Sequence, residues 1–430
     1  MVLPFSSMPS VEIFGTHYSA AKAYRRGTHR VRSPADTVAQ YRTLMPKMGI
    51  TRLANVTGLD SIGIPVYVAI RPNSRSLATS QGKGLDHDSA RASALMESIE
   101  TWHSEFMVNP LRWESHQALA REHASGETAV IDPRELPHFR APALEAPQPW
   151  VQGWDVANGE ACWVPLDAVT MNSVGTPEGG TELLRSSNGL SSGNHMLEAI
   201  VHGLCEVIER DAEALWRIGG ELRQVDLTAV PEPYCAEVIE RVTRAGAFLA
   251  AWDLTNDVGV PVYGCAILEP PDAGRLRSIG VHYGFGSHLS PAVALSRALT
   301  EAVQTRLTYI SGSRDDFTRV HYQQNRDPEL VTAIWEEITG NEPNASLDDR
   351  PSRATDTFED DLSILVAAVR SVGVRRVVVV DLSRPEIGLP VVKVVVPGLE
   401  GPGGHLPGAR ARAALEAQAR DEADVDGEAP

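Results

Sequence analysis

The spacing of apolar and polar positions predicts three long helices. Apolar residues recur at helical intervals over residues 88–103, 194–218 and 291–310. Asp88 or Ser89 is a suitable N-cap for the first helix. Ser290 followed by proline is a good start signal for the third helix, because proline fits the first helical position. These amphipathic helices account for much of the predicted core.

A repeated sequence motif precedes strands between the helices. It consists of an aliphatic residue, glycine, a second aliphatic residue, proline and valine, at residues 62–66, 258–262 and 387–391. An apolar stretch follows each copy, at residues 66–70, 262–267 and 391–396. Each copy is typical of a turn that leads into a strand, and residues 376–382 predict a further strand. Because strands and helices alternate, the sequence predicts an α/β fold, with α+β as the alternative.

The second helix carries an unusual polar face. Glu198, His202, Glu206 and Glu209 fall within an arc of roughly 80° at about 100° per residue. An ordinary solvated face mixes acids with Lys or Arg partners three or four residues away. Here three carboxylates and a histidine lie on consecutive turns, with Arg210 just beside them. Such repulsion is tolerable if a cation lies among the acids.

The first helix carries a second acidic pair, Glu97 and Glu100, at an i,i+3 spacing. One such pair most often belongs to a solvated face, but both acidic helices follow Gly-containing loops, at residues 80–84 and 186–194. Backbone N–H groups at such helix starts bind phosphate oxygens well. Carboxylates from two helices, together with phosphate oxygens, favour Mg²⁺ over zinc. The sequence therefore predicts a shared magnesium and phosphate site.

The third helix places Arg297, Glu301 and Gln304 on one face. A surface ion pair between Arg297 and Glu301 is the preferred interpretation of these residues alone. Arg306 projects to another side of an ideal helix. The basic segment 24–34 either neutralises phosphate groups or balances an acidic surface, and its sequence leaves both interpretations open.

Composition and charge exclude several classes of protein. The 430-residue chain has a net charge of −17 and no basic block, which argues against a nucleic-acid partner. Its longest apolar run, residues 391–396, is too short to span a bilayer, and its N-terminus lacks the basic region of a signal peptide. Four cysteines without metal-ligand spacing are typical of reduced structural thiols. We therefore expect a cytoplasmic protein without a membrane partner.

The acidic helices favour electrostatic over covalent catalysis. The chain lacks the HExxH zinc motif and the kinase HRD and DFG motifs, and no cysteine stands in a nucleophile signature. Positioning and charge neutralisation around a metal-bound triphosphate therefore explain the acidic residues best.

Seven short segments, in order along most of the chain, together resemble the YcaO family. They are residues 58–66, 71–75, 80–84, 93–100, 187–194, 206–211 and 298–306. The resemblance implies a YcaO-type fold in which repeated strand units and acidic helices enclose an ATP and Mg²⁺ site. It also divides the chain into an N-terminal extension (1–22), a catalytic domain (23–400) and an acidic tail (401–430), whose composition predicts disorder.

The resemblance also implies roles for individual residues. The Mg²⁺ ligands that it implies are Glu97, Glu100, Glu206 and Glu209. The residues that it places against ATP or its metals are Ser191, Asn194, Glu198 and Arg210, with Arg26 and Ser33 as N-terminal nucleotide contacts. Gln304 and Arg306 belong to the family's third motif, which is expected to contact the nucleotide. Glu206 and Arg210 are also expected to act in catalysis.

Two features favour one branch of the family. Residues 71–75 and 204–211 are similar to the corresponding segments of members paired with a TfuA-type protein. The chain also lacks the Pro-rich C-terminal motif of azoline-forming members. The resemblance therefore implies ATP-dependent thioamide formation in a precursor peptide or protein, with a TfuA-like partner and a homodimer. Formation of an azoline or amidine is the alternative within the family. A non-catalytic nucleotide-binding accessory protein is the alternative of a different class.

Overall fold

Strands and helices alternate along the computed structural model, which describes residues 10–126, 128–175, 182–271 and 279–427. The strands are β1 (Val11–Ile13), β2 (Thr16–Tyr18), β3 (Arg52–Asn55), β4 (Val66–Ile70), β5 (Thr79–Lys83), β6 (Leu111–Glu114), β7 (Ala129–Val130), β8 (Gln148–Asp155), β9 (Glu160–Pro165), β10 (Leu190–Ser192), β11 (Phe248–Asp253), β12 (Val262–Leu268), β13 (His282–Ser287), β14 (Val378–Asp381) and β15 (Val391–Val395). The α-helices are α1 (Pro34–Tyr41), α2 (His87–Glu105), α3 (His116–Glu122), α4 (Met196–Gly219), α5 (Pro233–Arg244), α6 (Pro291–Ser311), α7 (Arg319–Asn325), α8 (Pro328–Gly340), α9 (Phe358–Ser371) and α10 (Ala409–Gly427).

Most of these strands lie in three sheets. The largest sheet has the order β10-β15-β14-β8-β9-β7, and β6 pairs with β8 beside this path. The two smaller sheets have the orders β3-β4-β5 and β11-β12-β13, while β1 and β2 form a hairpin. Neighbouring strands are antiparallel except for the parallel pair β7 and β9. The mixture of helices and sheets confirms the predicted fold class.

The predicted helices and strands are confirmed with small shifts at their ends. β4 has the predicted bounds, and β12 and β15 each differ by one residue. α2 begins one residue early because Asp86, rather than Asp88 or Ser89, is the N-cap and accepts the Ser89 N–H at 2.8 Å. α6 begins at Pro291 after Ser290, as predicted.

The first two copies of the repeated motif belong to two similar three-stranded units. β4 and β12, which follow these two copies, are the central strands of their sheets, and α2 and α6 follow those sheets along the chain. Each helix packs closely on the last strand of its sheet. A Cβ atom at Gly82 would lie 2.0 Å from Ala94 N, and one at Gly284 would lie 2.1 Å from Ala302 N. Glycine at these positions therefore lets both helices approach their sheets.

The rotation of α4 is fixed by its apolar face. Leu197, Ile200, Leu204 and Ile208 are fully buried, and α4 packs on β10 and β15. Each such side chain contributes about 1.5–3 kcal/mol through burial. Because the apolar face packs on the large sheet, the acidic face of α4 turns towards α2 and α6.

The N-terminal segment is packed against the rest of the chain. β1 and β2 form a hairpin, and Lys22 donates to the buried carboxylate of Asp361. The Ala20 N–H donates to Glu359 Oε2 at 3.0 Å. The predicted N-terminal extension therefore belongs to the packed structure over residues 10–22.

The predicted disorder of residues 401–430 is wrong for much of this segment. The helix α10 begins against α4, where Arg410 Nε lies 3.0 Å from Asp211 Oδ1 and Arg410 Nη2 lies 2.5 Å from Asp257 Oδ1. The Ala411 N–H also donates to Glu400 at 2.9 Å. Composition alone could not show these anchors. The last three residues lie outside the described part of the chain.

Two further findings concern the cysteines and the lengths of the helices. Cys162, Cys205, Cys235 and Cys265 are buried free thiols. Burial raises the pKa of Cys162, Cys205 and Cys235 to about 12, which keeps them unreactive. Within the described ranges, no helix has both the length and the apolar character needed to cross a bilayer.

Candidate functional site

A cavity brings the predicted acidic helix faces together. It has a volume of about 480 Å³ and lies between α2, α4 and α6, next to β5 and the segment before α1. The carboxylates that line it are Glu97 and Glu100 from α2, Glu198, Glu206 and Glu209 from α4, and Glu301 from α6. Helix α6 thus adds Glu301, an acid that the sequence alone had not placed at this site.

The environment of these carboxylates disfavours their charge. Desolvation within the cavity, followed by the neighbouring Glu100, raises the pKa of Glu97 to about 8. Burial also raises the pKa of Glu206 and of Glu209 to about 7, against the opposing effect of Arg210. Glu97 opens onto the cavity, whereas Glu209 Oε2 is buried and has no hydrogen-bond partner among the described residues. Acids that repel one another, one of them with an unpartnered oxygen, are suited to a divalent cation.

Positively charged side chains border the acidic centre. Lys83 of β5 donates to Glu301 of α6. Arg210 Nη2 lies 3.9 Å from Glu209 Oε1, and Arg30 also lines the cavity. Cations beside carboxylates suit a triphosphate whose charge is shared between metal ions and side chains.

The predicted surface ion pair between Arg297 and Glu301 is wrong. Both side chains line the cavity, where Arg297 Nη1 donates to His202 Nδ1 at 3.0 Å and Glu301 accepts from Lys83. Because arginine only donates, His202 Nδ1 must accept, and a neutral ring then carries its proton on Nε2. Burial, followed by the charge of Arg297, lowers the pKa of His202 well below its usual value. His202 is therefore a neutral group between the acids of α4.

Most of the predicted nucleotide contacts line the cavity. They are Arg26, Asn194, Glu198, Arg210 and Gln304. Asn194 Nδ2 donates to Glu198 Oε1 at 3.4 Å, and the Val31 N–H donates to Glu198 Oε2 at 2.8 Å. Gln304 Oε1 is buried without a hydrogen-bond partner in the described part of the chain, so it can accept a donor from a ligand.

Ser191, which was expected to contact ATP or its metals, does not line the cavity. Successive side chains of β10 point to opposite sides, and the Ser191 hydroxyl donates to Ala199 O at 2.8 Å. Ser192 faces the acids instead, and its N–H and hydroxyl donate to Glu100 Oε1 at 2.8 and 2.6 Å. Residues 189–193 spell Gly-x-Ser-x-Gly, but their buried central serine is not an exposed nucleophile.

Two further expected contacts, Ser33 and Arg306, lie outside the cavity lining. Ser33 is the N-cap of α1. Arg306 is buried, with Nε 2.8 Å from Asp60 Oδ2 and Nη1 2.5 Å from Glu269 Oε1. At about 100° per residue, Arg306 lies roughly opposite Gln304 on α6. Both residues therefore stabilise the elements around the site, and their nucleotide contacts stay predictions.

The sequence held partial signals for the site residues that were missed. Lys83 lies between two glycines just before a predicted helix. Arg30 belongs to the basic segment whose role was left open. Ser192 had no signal, because the facing of a short strand cannot be determined from its sequence.

Comparison with known families agrees with this geometry. The profile of the YcaO cyclodehydratase family, described as binding ATP and Mg²⁺, matches residues 81–400. An uncharacterised protein in the tfuA 3′ region of Rhizobium leguminosarum bv. trifolii is 35% identical over 378 residues. That match covers 86% of this chain and 88% of the relative.

Two solved structures share the fold. A heterocyclase in complex with substrate and cofactor has a TM-score of 0.74 at 24% identity, and the match covers 89% of this chain but 54% of the heterocyclase. The YcaO protein from Methanopyrus kandleri, bound with AMPPCP and Mg²⁺, has a TM-score of 0.70 at 24% identity, with coverage of 89% and 95%. The chain therefore belongs to the YcaO family of ATP- and Mg²⁺-binding proteins.

Proposed function

We propose that this protein uses ATP, Mg²⁺ and sulfide to convert a backbone amide of a precursor peptide or protein into a thioamide. The observation that carries the proposal is the cavity in which Glu97 and Glu100 meet Glu206 and Glu209. The relative in the tfuA 3′ region supports the thioamide branch over azoline or amidine formation.

The four glutamates would hold Mg²⁺, which when bound supplies neutralisation of charge on phosphate oxygens. Their environment fits a metal, because raised pKa values and an unpartnered Glu209 oxygen indicate acids that gain from a cation. Asn194 and Glu198 at the start of α4, together with Arg26, line the same cavity, which supports them as nucleotide contacts.

In the proposed reaction, hydrosulfide attacks the amide carbonyl carbon, and the carbonyl electron pair moves onto oxygen. The oxyanion attacks the γ-phosphorus of ATP, and the bond to the β-phosphate oxygen breaks to release ADP. The C–O bond then breaks with phosphate as the leaving group, which takes the sulfur proton as the C=S bond forms. Arg210 and Lys83, which line the cavity, would neutralise charge on the transferred phosphoryl group, and Glu206 would act there as one of the Mg²⁺ ligands.

Mass spectrometry tests this proposal directly. Purified protein is incubated with ATP, Mg²⁺, sulfide and the small peptides and proteins encoded beside its gene. Thioamide formation predicts a product about 16 mass units heavier, with equal amounts of ADP and phosphate. A sulfide-independent product lighter by about 18 mass units would indicate azoline or amidine formation instead. Release of AMP and pyrophosphate would contradict phosphoryl transfer to the amide oxygen.

The proposal also includes a homodimer that acts with a TfuA-like protein. Light scattering of the protein alone and of an equimolar mixture with that partner measures both interactions. A monomer that forms no complex, and whose activity is independent of the partner, would contradict this part. ATP binding without turnover in every mixture would instead indicate an accessory protein.

A further inference from the structure

β5 ends its sheet with an unpaired edge that faces the cavity. The sheet order is β3-β4-β5, so β5 has a partner strand on one side only within the described ranges. The Arg71 N–H donates to Ala78 O at 2.7 Å, so the even-numbered residues of this stretch bond to β4. The N–H and C=O groups of Thr79, Gln81 and Lys83 therefore point away from β4. No described strand pairs with them on that side.

Both faces of β5 are fixed by neighbouring elements, which leaves this edge open. α2 packs on one face at Gly82, where a Cβ atom would clash with its backbone. On the other face, Thr79 Oγ1 donates to Ser313 O at 3.0 Å, and Gln81 Nε2 donates to Ser313 Oγ at 2.9 Å. On this face Lys83 also donates to Glu301 of α6. A strand whose side chains are already bonded is a rigid template for main-chain recognition.

The open edge lies beside the acidic centre. Thr79, Gln81 and Lys83 line the cavity together with Glu97 and Glu100. The Gln81 N–H bonds to the Glu97 carboxylate and so opposes the rise in its pKa, which leaves Thr79 and Lys83 as the free main-chain positions of this edge. A chain bound along this edge would therefore pass next to the proposed metal ligands.

We propose that the substrate binds as an added β-strand on the free edge of β5, which presents one of its backbone amides to the acidic centre. The inference rests on the proposed function and names the ligand as an extended polypeptide segment recognised through its main chain. Unpaired N–H and C=O groups at a sheet edge are a template for such a strand. The same cavity is lined by Leu77, Met171 and Phe317, which offer apolar contacts to alternate side chains of the substrate.

Thr79→Pro tests the added strand, because proline removes the outward N–H without removing a bond to β4. Thr79→Val is the matched variant, since it lacks the hydroxyl that bonds Ser313 but keeps the N–H. The probe is a short synthetic peptide centred on the modified residue. We expect its KM to be about 10-fold higher in the proline variant than in the valine variant, with equal Kd values for ATP. Equal KM values, or an ATP Kd that rises with KM, would overturn the inference.

An ester scan of the peptide applies the test to the wild-type protein, so it does not depend on folding of the proline variant. Each amide N–H of the peptide is replaced in turn by an ester oxygen, and KM is measured for each ester. Because alternate residues of an added strand face its neighbour, KM should rise at every second position. A profile without alternation would overturn the added strand and leave thioamide formation intact. Failure of the wild-type protein to modify any peptide would contradict the proposed function and this inference with it.

Discussion

Ser192 donates its backbone N–H and its hydroxyl to the same oxygen of Glu100, at 2.8 and 2.6 Å. The strand that leads into α4 therefore fixes a carboxylate of α2. This contact joins the two halves of the acidic site within the protein itself and sets the direction of a proposed Mg²⁺ ligand. Groups that orient metal ligands in this way tune metal affinity.

Ser192→Ala should weaken Mg²⁺-dependent ATP binding by about 10-fold, because Glu100 loses a donor that orients it. Calorimetric titration of ATP over a series of Mg²⁺ concentrations measures the effect. Ser191→Ala is the matched control, since its hydroxyl bonds Ala199 O away from the cavity and its loss should lower stability rather than Mg²⁺ affinity. Equal losses of Mg²⁺ affinity in the two variants would contradict the role of Ser192.

The raised pKa of Glu97 should make stability depend on pH in the absence of metal. The pKa of Glu97 is about 8 in the folded protein. A carboxyl group whose pKa is raised by folding contributes stability that is lost as the pH rises through that value. The Tm of the wild-type protein relative to Glu97→Gln should therefore fall between about pH 4.5 and about pH 8. The two proteins should agree below this window, where the carboxyl group is neutral in both the folded and unfolded chain.

Mg²⁺ should reverse this trend, because metal binding displaces protons from the carboxyl groups. The rise in Tm that Mg²⁺ produces should be larger at about pH 8 than at about pH 6. Differential scanning calorimetry of both proteins with and without Mg²⁺ measures it. A Mg²⁺ effect that is independent of pH in the wild-type protein would be evidence against ligation by Glu97.

The acidic faces could be predicted because helical periodicity links sequence separation to direction. Glu97 and Glu100, and likewise Glu206 and Glu209, share faces at their spacing and meet in one cavity. Helical periodicity likewise places Arg306 away from the cavity face of α6, where it pairs with Asp60.

Contacts between distant segments could not be predicted from the sequence. Ser191 and Ser192 are adjacent, and only the pairing of β10 with β15 determines which hydroxyl faces the acids. Arg306 pairs with Asp60, which is 246 residues away in sequence, and with Glu269, which directly follows β12. Such pairs depend on tertiary packing, which local pattern does not encode.

Arg410→Ala should lower the free energy of unfolding by about 2 kcal/mol, because it leaves the buried Asp211 carboxylate with fewer donors. Urea denaturation measures the change. Arg412→Ala is the matched control, since this exposed side chain donates to Pro407 O and its loss should cost less than about 0.5 kcal/mol. A change as small in Arg410→Ala would show that this residue does not anchor α10.

The central claim is that carboxylates from α2 and α4 hold Mg²⁺ together. A double-mutant cycle tests it through Mg²⁺-dependent ATP affinity in the wild-type protein, Glu97→Gln, Glu206→Gln and the double variant, measured by calorimetric titration. If the site is shared, each single variant should lose at least about 10-fold in affinity, and the two losses should be coupled by more than about 1 kcal/mol. Additive losses, or single variants that bind ATP with the wild-type dependence on Mg²⁺, would contradict a shared site.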